Sequence, residues 1–536
     1  MRIPLRRPVA VVAVAGLLLV PSAAIASEDA ATQGVGPSAV ADASSADAQA
    51  VADAPAAAAR NFTFYGSGFG HGLGMSQWGA FGLAREGWAA ARILEHYYSG
   101  TGVSTADGPA RLRIGLVQSR SDVRLEAISG PVKIKVGDAQ TGDVVATVPS
   151  GATWHVRVAD TRYRVVDAQG TTVARVGGPN TPIFAVFGGA RVRVPEAGHT
   201  YNRGVIEFGL YSCGGTCDLR LVLVIAPEEY LYGLGEVPSS WPMEALKAQA
   251  IAARTYAFTK ARAGQHRSGC DCALYASSFD QVYAGYDKEG GVDGERWVHA
   301  VNATEGKTVK DGGTTIQAFY MSSSGGHTED NENVWGGTPI DYLRGVCDPG
   351  DYTEANPSAI WDVTIDAGEV TTDLSLGIGV VTGFGSVSRG VSGRIISIVV
   401  KGQDGQERIS GATLRSELAL RDDRVWVNSN RQIVGAIRQK YDALRCSPGL
   451  PLSRQVAVAG GARQRFQDAT IFLHDATGAH EVHGPVLAAY LDAGGPGGTL
   501  GFPRTDVQRR TDGRLRSRFQ HGTITCGDTA CRVVTG

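Results

Sequence analysis

One glutamate, Glu236, lies in a segment whose residue types suit acid–base chemistry on a bulky substrate. Gly233 and Gly235 lack side chains and leave room for a ring to approach closely. Apolar neighbours would raise the glutamate pKa toward the value that a general acid needs near neutral pH. The start of a following helix acts the other way, because its dipole favours the ionised carboxylate. The alternative is a capping or ion-paired glutamate, which spacing alone favours.

The elements around this glutamate follow from hydrophobic periodicity. Residues 242–261 have apolar side chains at helical spacing, and Pro242 suits a first helical turn. Residues 112–225 alternate with period 2 and carry glycine-containing turns, which predicts strands. We therefore expect an α+β domain with a twisted antiparallel sheet and one main helix after Glu236.

The first 26 residues have the pattern of a secretion signal peptide. A basic start precedes an apolar run over residues 9–20, and Ala24-Ile25-Ala26 fits a small-residue cleavage site. The run is shorter than the ~20 residues of a membrane span, so an uncleaved anchor is the weaker alternative. We predict an exported protein without a membrane span after signal removal. The net charge of −2 argues against nucleic-acid binding, which needs a marked basic excess.

Eight cysteines fit an oxidising compartment and suggest disulfides. Spacing favours Cys213–Cys217 and Cys526–Cys531 as local pairs, but the full connectivity does not follow from sequence. Zinc is the competing interpretation for Cys270-Asp-Cys272. It ranks second, because the spacing is tighter than the usual two-residue gap between zinc ligands.

Composition predicts further boundaries. Residues 27–60 are rich in Ala, Asp and Ser and are expected to form a disordered tether. Residues 61–445 form the main domain, and residues 446–460, with Ser-Pro-Gly-Leu-Pro, are expected to be a linker. Residues 461–536 contain an internal repeat, because Arg-Phe-Gln at 465–467 recurs at 518–520.

Three segments resemble the SpoIID/LytB family, the stage II sporulation protein D type. The first is Gly68-Phe-Gly-His-Gly-Leu-Gly-Met-Ser-Gln-Trp-Gly-Ala80, the second spans 227–256 around Glu236, and the third is Phe319-Tyr-Met-Ser-Ser-Ser-Gly-Gly-His-Thr-Glu329. The likeness extends through Ser392-Gly-Arg394 and covers roughly residues 61–430. Several long motifs match together, which makes the resemblance specific. The segment 461–536, with Leu500-Gly-Phe-Pro503, resembles LGFP repeats, which are associated with attachment to cell envelopes.

The order of the motifs departs from the family pattern. In family members the Gly-His-Gly-x-Gly-Met-Ser-Gln segment lies at the C-terminal end of the domain, whereas in this chain it precedes the β-rich region. A circular permutation is the simplest account, because domain termini often lie close together at the surface. It predicts that His71 and Gln77 fold back beside Glu236.

The resemblance implies a lytic transglycosylase that cleaves the MurNAc–GlcNAc β-1,4 bond of peptidoglycan and leaves a 1,6-anhydro end. The sugar's own 6-hydroxyl is then the nucleophile, so one carboxyl group, Glu236, serves as acid and then as base. A hydrolase would usually need a second carboxyl group. The glutamates available for that second role are Glu228, Glu229, Glu244 and Glu329.

Eight further residues are candidates for substrate binding, and several have a structural alternative. For His71 the alternative is a turn, for Ser76 a helix cap and for Arg254 a solvated helix face. For Tyr283 and Trp335 it is core packing. The candidates are His71, Ser76, Gln77, Trp241, Arg254, Tyr283, His327 and Trp335.

We expect no metal and no cofactor. Some relatives pair a cysteine with a histidine five residues later around zinc, but Ser322 stands at the corresponding position before His327. Serine is a poor zinc ligand, so His327 is expected to hydrogen-bond within the cleft.

The expected partners are peptidoglycan glycan strands and, through the LGFP-like module, a cell-envelope polymer, at a secreted, wall-associated location. The rival hypothesis is a non-catalytic wall-binding protein that stimulates a separate amidase. A third hypothesis is adhesion through the LGFP-like module alone. A Ser-His-Asp hydrolase is disfavoured, because no Gly-x-Ser-x-Gly elbow is evident.

Overall fold

The computed structural model describes residues 61–536, so the expected signal peptide and tether lie outside the described residues. Antiparallel sheets dominate the described part and helices pack against them, which confirms an α+β fold. Across this range each helix is too short or too polar to cross a bilayer.

The first motif folds into a short strand and a helix that begins at Gln77. The Ser76 hydroxyl caps this helix by accepting the Gly79 N–H at 3.0 Å. A side chain at Gly82 would overlap the backbone of Gly350, so glycine permits a close approach there. The elements in this part are β1 (Asn61–Gly66), β2 (Met75–Ser76), α1 (Gln77–Arg85), α2 (Ala90–Tyr97) and β3 (Gly102–Thr105).

The predicted β-rich region forms two antiparallel sheets that share one core, into which Val156 from one sheet and Leu223 from the other are buried. One sheet has the order β10-β9-β8-β5-β12-β13, and the other contains β4-β15-β14-β11-β6-β7. Its strands are β4 (Leu112–Arg120), β5 (Asp122–Ser129), β6 (Val132–Val136), β7 (Asp143–Val148), β8 (Thr153–Ala159), β9 (Arg162–Val166), β10 (Thr172–Val176), β11 (Ile183–Val186), β12 (Arg191–Val194), β13 (His199–Tyr201), β14 (Val205–Tyr211) and β15 (Asp218–Ile225).

The main helix, expected over 242–261, is confirmed as Met243–Ala263. Its many alanines let neighbouring helices pack closely against it. Pairing of Tyr320 with Met75 in a parallel ladder then brings the first and third motifs side by side. This part contains α3 (Pro227–Tyr232), α4 (Met243–Ala263), β16 (Leu274–Tyr275), α5 (Tyr286–Glu289), α6 (Gly294–Asn302), β17 (Lys307–Asp311), β18 (Thr314–Thr315), β19 (Tyr320–Met321) and α7 (Asn331–Trp335).

The described start of the chain pairs with residues near the end of the main domain. Phe64 in β1 lies between Val363 on one side and Val427 on the other. The remaining elements are β20 (Trp361–Asp366), α8 (Ala367–Leu374), β21 (Val381–Arg389), β22 (Ile395–Gly402), β23 (Gln406–Ser410), α9 (Gly411–Glu417), β24 (Val425–Val427) and α10 (Gly435–Ala443).

The C-terminal repeat is also a structural repeat. The Gln467 side-chain carbonyl accepts the Leu450 N–H at 2.8 Å, and the Gln520 carbonyl accepts the Phe502 N–H at 2.8 Å. The first copy therefore starts inside the segment that we expected to be a linker. The elements are β25 (Val456–Val458), β26 (Gly461–Arg465), β27 (Ala469–His474), β28 (Gly478–His483), α11 (Gly484–Asp492), β29 (Gln508–Arg509), β30 (Leu515–Phe519), β31 (Gly522–Cys526) and β32 (Cys531–Thr535).

Four disulfides use all eight cysteines. The two local pairs, Cys213–Cys217 and Cys526–Cys531, are present as expected, and Cys270 bonds Cys272 in place of a zinc site. The long-range pair Cys347–Cys446 joins the loop after the third motif to the segment just before the repeats.

Replacing Cys347 and Cys446 with alanine should lower the free energy of unfolding by about 2–5 kcal/mol, because the bond closes a long loop of the unfolded chain. The matched control is alanine at Cys526 and Cys531, whose separation is 5 residues against 99 for the first pair. Urea unfolding of both variants should show the smaller loss for the control. Equal losses would contradict the role assigned to the long-range bond.

Candidate active site

Glu236 lies in the connection between α3 and α4, and its carboxylate is held by two donors from distant segments. The backbone N–H of Val282 donates to Oε1 at 2.6 Å. The Gln77 side-chain amide donates to Oε2 at 3.2 Å across 159 residues of sequence. The first motif thus reaches Glu236 through Gln77.

The glycines before Glu236 admit a neighbouring loop, not the sugar ring that we expected. A Cβ atom at Gly233 would lie 2.6 Å from the Tyr283 ring and 2.8 Å from the Cα atom of Gly285. Leu234 also forms a β-bridge with Tyr283. This close approach is what brings the Val282 N–H to the carboxylate.

Burial raises the pKa of Glu236, and this effect outweighs hydrogen bonds from Val282, Gln77 and Tyr320 and the positive charge of Lys288, all of which lower it. Lys288 is itself desolvated, which lowers its pKa to about 8 although Glu236 acts to raise it. Its ammonium group donates to the Val237 carbonyl. The main helix begins seven residues after Glu236, so its dipole does not decide the pKa.

A buried glutamine, Gln281, organises the layer behind the carboxylate. Its amide donates to the Tyr320 hydroxyl at 2.9 Å and to the Ala253 carbonyl at 3.2 Å, while its carbonyl accepts the Tyr230 hydroxyl at 3.0 Å. Burial raises the pKa of both tyrosines well above its ordinary value, so they remain protonated donors. The sequence analysis named Tyr283 but missed Gln281, Tyr320 and Lys288.

His71 and Trp335 form an aromatic surface with Phe319. The His71 ring lies 5.2 Å from the Trp335 ring, and the Phe319 and Trp335 rings are 4.5 Å apart. Trp335 is 54% exposed, which leaves an apolar face open to a sugar. The Leu73 N–H donates to His71 Nδ1 at 3.0 Å. Burial, with nearby Arg415, lowers the pKa of His71 to about 3, so the ring is neutral.

The structure directs Ser76 away from any substrate. The side chain is fully buried, and besides capping α1 its hydroxyl donates to Asp351 Oδ1 at 2.7 Å. The same carboxylate accepts the Ser323 hydroxyl at 2.8 Å, which ties the first motif to the third. Ser76 therefore caps α1 and positions Gln77, and it does not act as a substrate-binding residue.

Three other candidates are buried in the scaffold. Arg254 is 0% exposed and forms an ion pair with Glu228 at 2.6 Å, so it cannot meet a substrate carboxylate. Tyr283 is 2% exposed, and its ring stacks 5.0 Å from that of Tyr230. Trp241 packs 4.8 Å from the Trp78 ring. These residues shape the walls behind Glu236 and do not face solvent.

His327 lies beside the Cys347–Cys446 bond, since it forms a β-bridge with Cys347. Its Nδ1 atom is 2.6 Å from the Thr328 carbonyl, and burial lowers its pKa to about 4. Ser322, five residues before His327, offers no thiolate as a metal ligand. Within residues 61–536 no three His, Cys, Asp or Glu side chains group as metal ligands.

The four glutamates considered for a second catalytic carboxyl group all contact other protein groups. Glu228 pairs with Arg254 at 2.6 Å, and Glu229 lies 3.8 Å from an arginine. Glu244 accepts from a lysine at 2.8 Å. Glu329 is buried and accepts the backbone N–H of Ser392 at 3.1 Å. Glu236 instead accepts hydrogen bonds from Val282 and Gln77, and burial raises its pKa.

Comparison with known families identifies two regions. The family model described as stage II sporulation protein, SpoIID, matches residues 217–310, and the LGFP repeat model matches residues 449–498. This chain carries a SpoIID domain. The SpoIID match includes Glu236, the main helix and Val282, whereas Gln77 lies outside it.

Curated relatives match part of this chain at modest identity. The amidase enhancer of Bacillus subtilis (strain 168) is 35% identical over 137 residues, which is 26% of this chain and 17% of that protein. Stage II sporulation protein D of the same organism is 30% identical over 198 residues, 34% of this chain and 57% of its own. Stage II sporulation protein D of Bacillus amyloliquefaciens is 29% identical over 207 residues, which is 36% of this chain and 58% of that protein. The chain therefore spans less than two-thirds of each of these relatives.

The raised pKa of Glu236 predicts a pH-dependent stability difference between wild type and Glu236→Gln. A carboxyl group that is harder to ionise in the folded state than in the unfolded state weakens the fold as pH rises from its unfolded pKa through its folded pKa. The stability of wild type relative to the variant should therefore fall from about pH 4.5 upward and then level off. Thermal unfolding at a series of pH values measures this difference.

The Gln77→Leu variant provides the matched comparison, since it removes a hydrogen bond that lowers the pKa of Glu236. When Gln77→Leu is compared with the double variant Gln77→Leu, Glu236→Gln, the fall in relative stability should extend to higher pH. If the stability of wild type relative to Glu236→Gln instead fell on acidification, folding would lower the carboxyl pKa, and the raised value would be wrong.

Proposed function

We propose that this protein is a secreted lytic transglycosylase, which cleaves MurNAc–GlcNAc β-1,4 bonds of peptidoglycan and leaves 1,6-anhydro-MurNAc ends. The observation that carries the proposal is the environment of Glu236: a half-buried residue whose carboxyl group has a raised pKa and accepts hydrogen bonds from Val282 and Gln77. A kinship with proteins named stage II sporulation protein D and amidase enhancer supports a substrate in the cell wall.

The chemistry requires one proton to move twice. Protonated Glu236 donates its proton to the bridging oxygen as the C1–O bond breaks, and positive charge develops on the MurNAc ring. The resulting carboxylate then removes the proton of the C6 hydroxyl, whose oxygen bonds to C1 and closes the anhydro ring. Glu236 ends protonated, so no water and no second carboxyl group are consumed. Hydrogen bonds from Val282 and Gln77 stabilise the carboxylate between the two steps.

The surface around Trp335 supplies a place for the sugar chain. An exposed indole face suits the C–H face of a pyranose ring, and neutral His71 beside it suits hydrogen bonding to hydroxyl or N-acetyl groups. Lys288, desolvated near Glu236, favours the carboxylate form after the first proton transfer. The scaffold residues Arg254 and Tyr283 contribute only through the positions of these groups.

We also propose that the domain is a circular permutation of the arrangement in its relatives. The pairing of β1 with β24 supports this, because Gly66 lies opposite Val425 and so the two ends of the predicted domain are adjacent. The LGFP repeat supports attachment to an envelope polymer, and the four disulfides support export. The boundaries of the predicted domains belong to the same proposal, except that the first repeat begins before residue 461, inside the segment expected to be a linker.

A second candidate function is stimulation of a separate amidase by a non-catalytic wall-binding protein. The relative named amidase enhancer, 35% identical over 137 residues, favours it. This function would place no demand on the pKa of Glu236, whereas cleavage depends on it.

Glu236→Gln should lower the release of anhydro-muramyl products from purified, amidase-treated glycan strands by about 10²–10⁴-fold, because the amide cannot donate or accept the proton. Mass spectrometry of the soluble products measures the effect. Near-wild-type circular dichroism of the variant controls for folding. Products from neither protein, together with faster release of stem peptides by an added amidase, would favour the second candidate.

Trp335→Ala should raise the KM for soluble glycan fragments about 2- to 10-fold with a small change in kcat, because an aromatic contact contributes about 0.5–1.5 kcal/mol. Trp335→Phe keeps an aromatic face and should restore most of the affinity. Steady-state kinetics of both variants provide the comparison. An unchanged KM in the alanine variant would remove Trp335 from the substrate surface.

A further inference from the structure

A second recess lies apart from Glu236, where the first LGFP repeat meets the main domain. This groove is an open cavity of about 530 Å³. One wall comes from the end of β21 and the turn after it, with Arg389, and the floor is Trp426. The opposite wall is Leu450, Pro451 and Leu452, at the start of the first repeat.

The two copies of the repeat explain why space remains there. Phe502 and Leu450 are equivalent, since each donates its N–H to the glutamine of its own repeat. The Phe502 ring is 2% exposed and packs 4.6 Å from the His474 ring, so it fills the gap between the second repeat and the first. Leu450 is smaller, and the gap between the first repeat and the main domain stays open.

Positive charge borders the groove without an ion-pair partner. Arg389 donates to the carbonyls of Gly393 and Val425, and its guanidinium lies 4.7 Å from the Trp426 ring centre. Arg431 makes only contacts of 3.4 and 3.5 Å, to Ser429 and Pro451. Within the described range neither arginine forms a direct ion pair, and Asp423 acts on Arg389 only through the charge of its carboxylate. An anionic ligand would supply the missing countercharge.

Two features agree with this electrostatic picture. Burial, followed by the charges of Arg431 and Arg424, lowers the pKa of Arg389 to about 9, and these effects outweigh the charge of Asp423, which raises it. The rim carries exposed apolar side chains, with Val387 at 38%, Val391 at 49% and Leu452 at 41% exposure. Such a rim suits the apolar faces of sugar rings.

We propose that this groove binds a carboxylate-bearing glycan, with the carboxylate between Arg389 and Arg431 and the sugar rings along the apolar rim. The weakly engaged guanidinium fork of Arg431 can bind a carboxylate through two parallel hydrogen bonds, while Arg389, held by two carbonyls, adds positive charge. In peptidoglycan, the lactyl group of MurNAc carries a free carboxylate once the stem peptide is removed. This assignment of the ligand rests on the proposed function, while the groove and its charge do not.

The groove would give the protein a second hold on the same class of polymer. The Cys347–Cys446 bond and the contact of Gly393 with Leu450, where an added Cβ would lie 3.1 Å from the leucine, fix its two walls relative to each other. A strand seated there is therefore held in a set orientation relative to the main domain. The protein would then select peptide-free strands by binding in the groove as well as by cleavage at Glu236.

Binding can be measured in full-length protein that carries Glu236→Gln, so that the strands stay intact. The probes are amidase-treated glycan strands, neutral chitin oligosaccharides of equal length and poly(glycerol phosphate). Arg431→Gln should weaken binding of the acidic strands about tenfold. Leu450→Phe should weaken it similarly without a change in charge, because it places in the gap the ring that the second repeat has. Arg514→Gln, at an exposed position in the second repeat, is the control with the same charge change.

Each outcome has a definite meaning. Loss of affinity in both groove variants but not in Arg514→Gln, for acidic strands alone, supports the proposal. Unchanged affinity in Arg431→Gln and Leu450→Phe, each with wild-type thermal unfolding, overturns it. An equal loss for chitin, or a loss confined to poly(glycerol phosphate), overturns the carboxylate assignment. Cleavage of short fragments by proteins with native Glu236 tests the proposed function separately.

Discussion

Everything at the candidate active site depends on keeping one carboxyl group out of bulk water while giving it hydrogen-bond partners. Burial alone would leave Glu236 as a cost to the fold with little control over its orientation. The Val282 N–H and the Gln77 amide fix its two oxygens, and Gln281 with Tyr230 fixes the layer behind. The competition between desolvation and these donors sets the pKa above its ordinary value.

This constraint explains features that are not themselves at the surface. Gly233 must lack a side chain so that the loop with Tyr283 can approach, and Ser76 must be buried so that α1 starts where Gln77 reaches inward. The ion pair between Arg254 and Glu228 anchors the main helix to α3, directly before the connection that carries Glu236. Ser76 and Arg254, which the sequence suggested as substrate-binding residues, thus hold the elements around Glu236 in place.

Much of the architecture was predictable from sequence, because strong periodicity and specific motifs report on it directly. The main helix, the β-rich region, two local disulfides and the approach of Gln77 to Glu236 are as expected. The errors share a cause: a residue type shows what a side chain can do, but not which partner already occupies it. Arg254, for example, already forms an ion pair with Glu228. A backbone donor such as Val282 has no side-chain signature at all.

The long-range pairing of the first strand affects when the main domain can finish folding. The Thr63 N–H bonds the Asn428 side chain across 365 residues, and Gln432 reaches back to the Gly66 carbonyl. Contacts of such sequence separation form late and slowly, since their loop entropy must be overcome first. A partly synthesised chain therefore lacks the final sheet, and β1 completes its pairing only after β24 and the residues that follow it have been made.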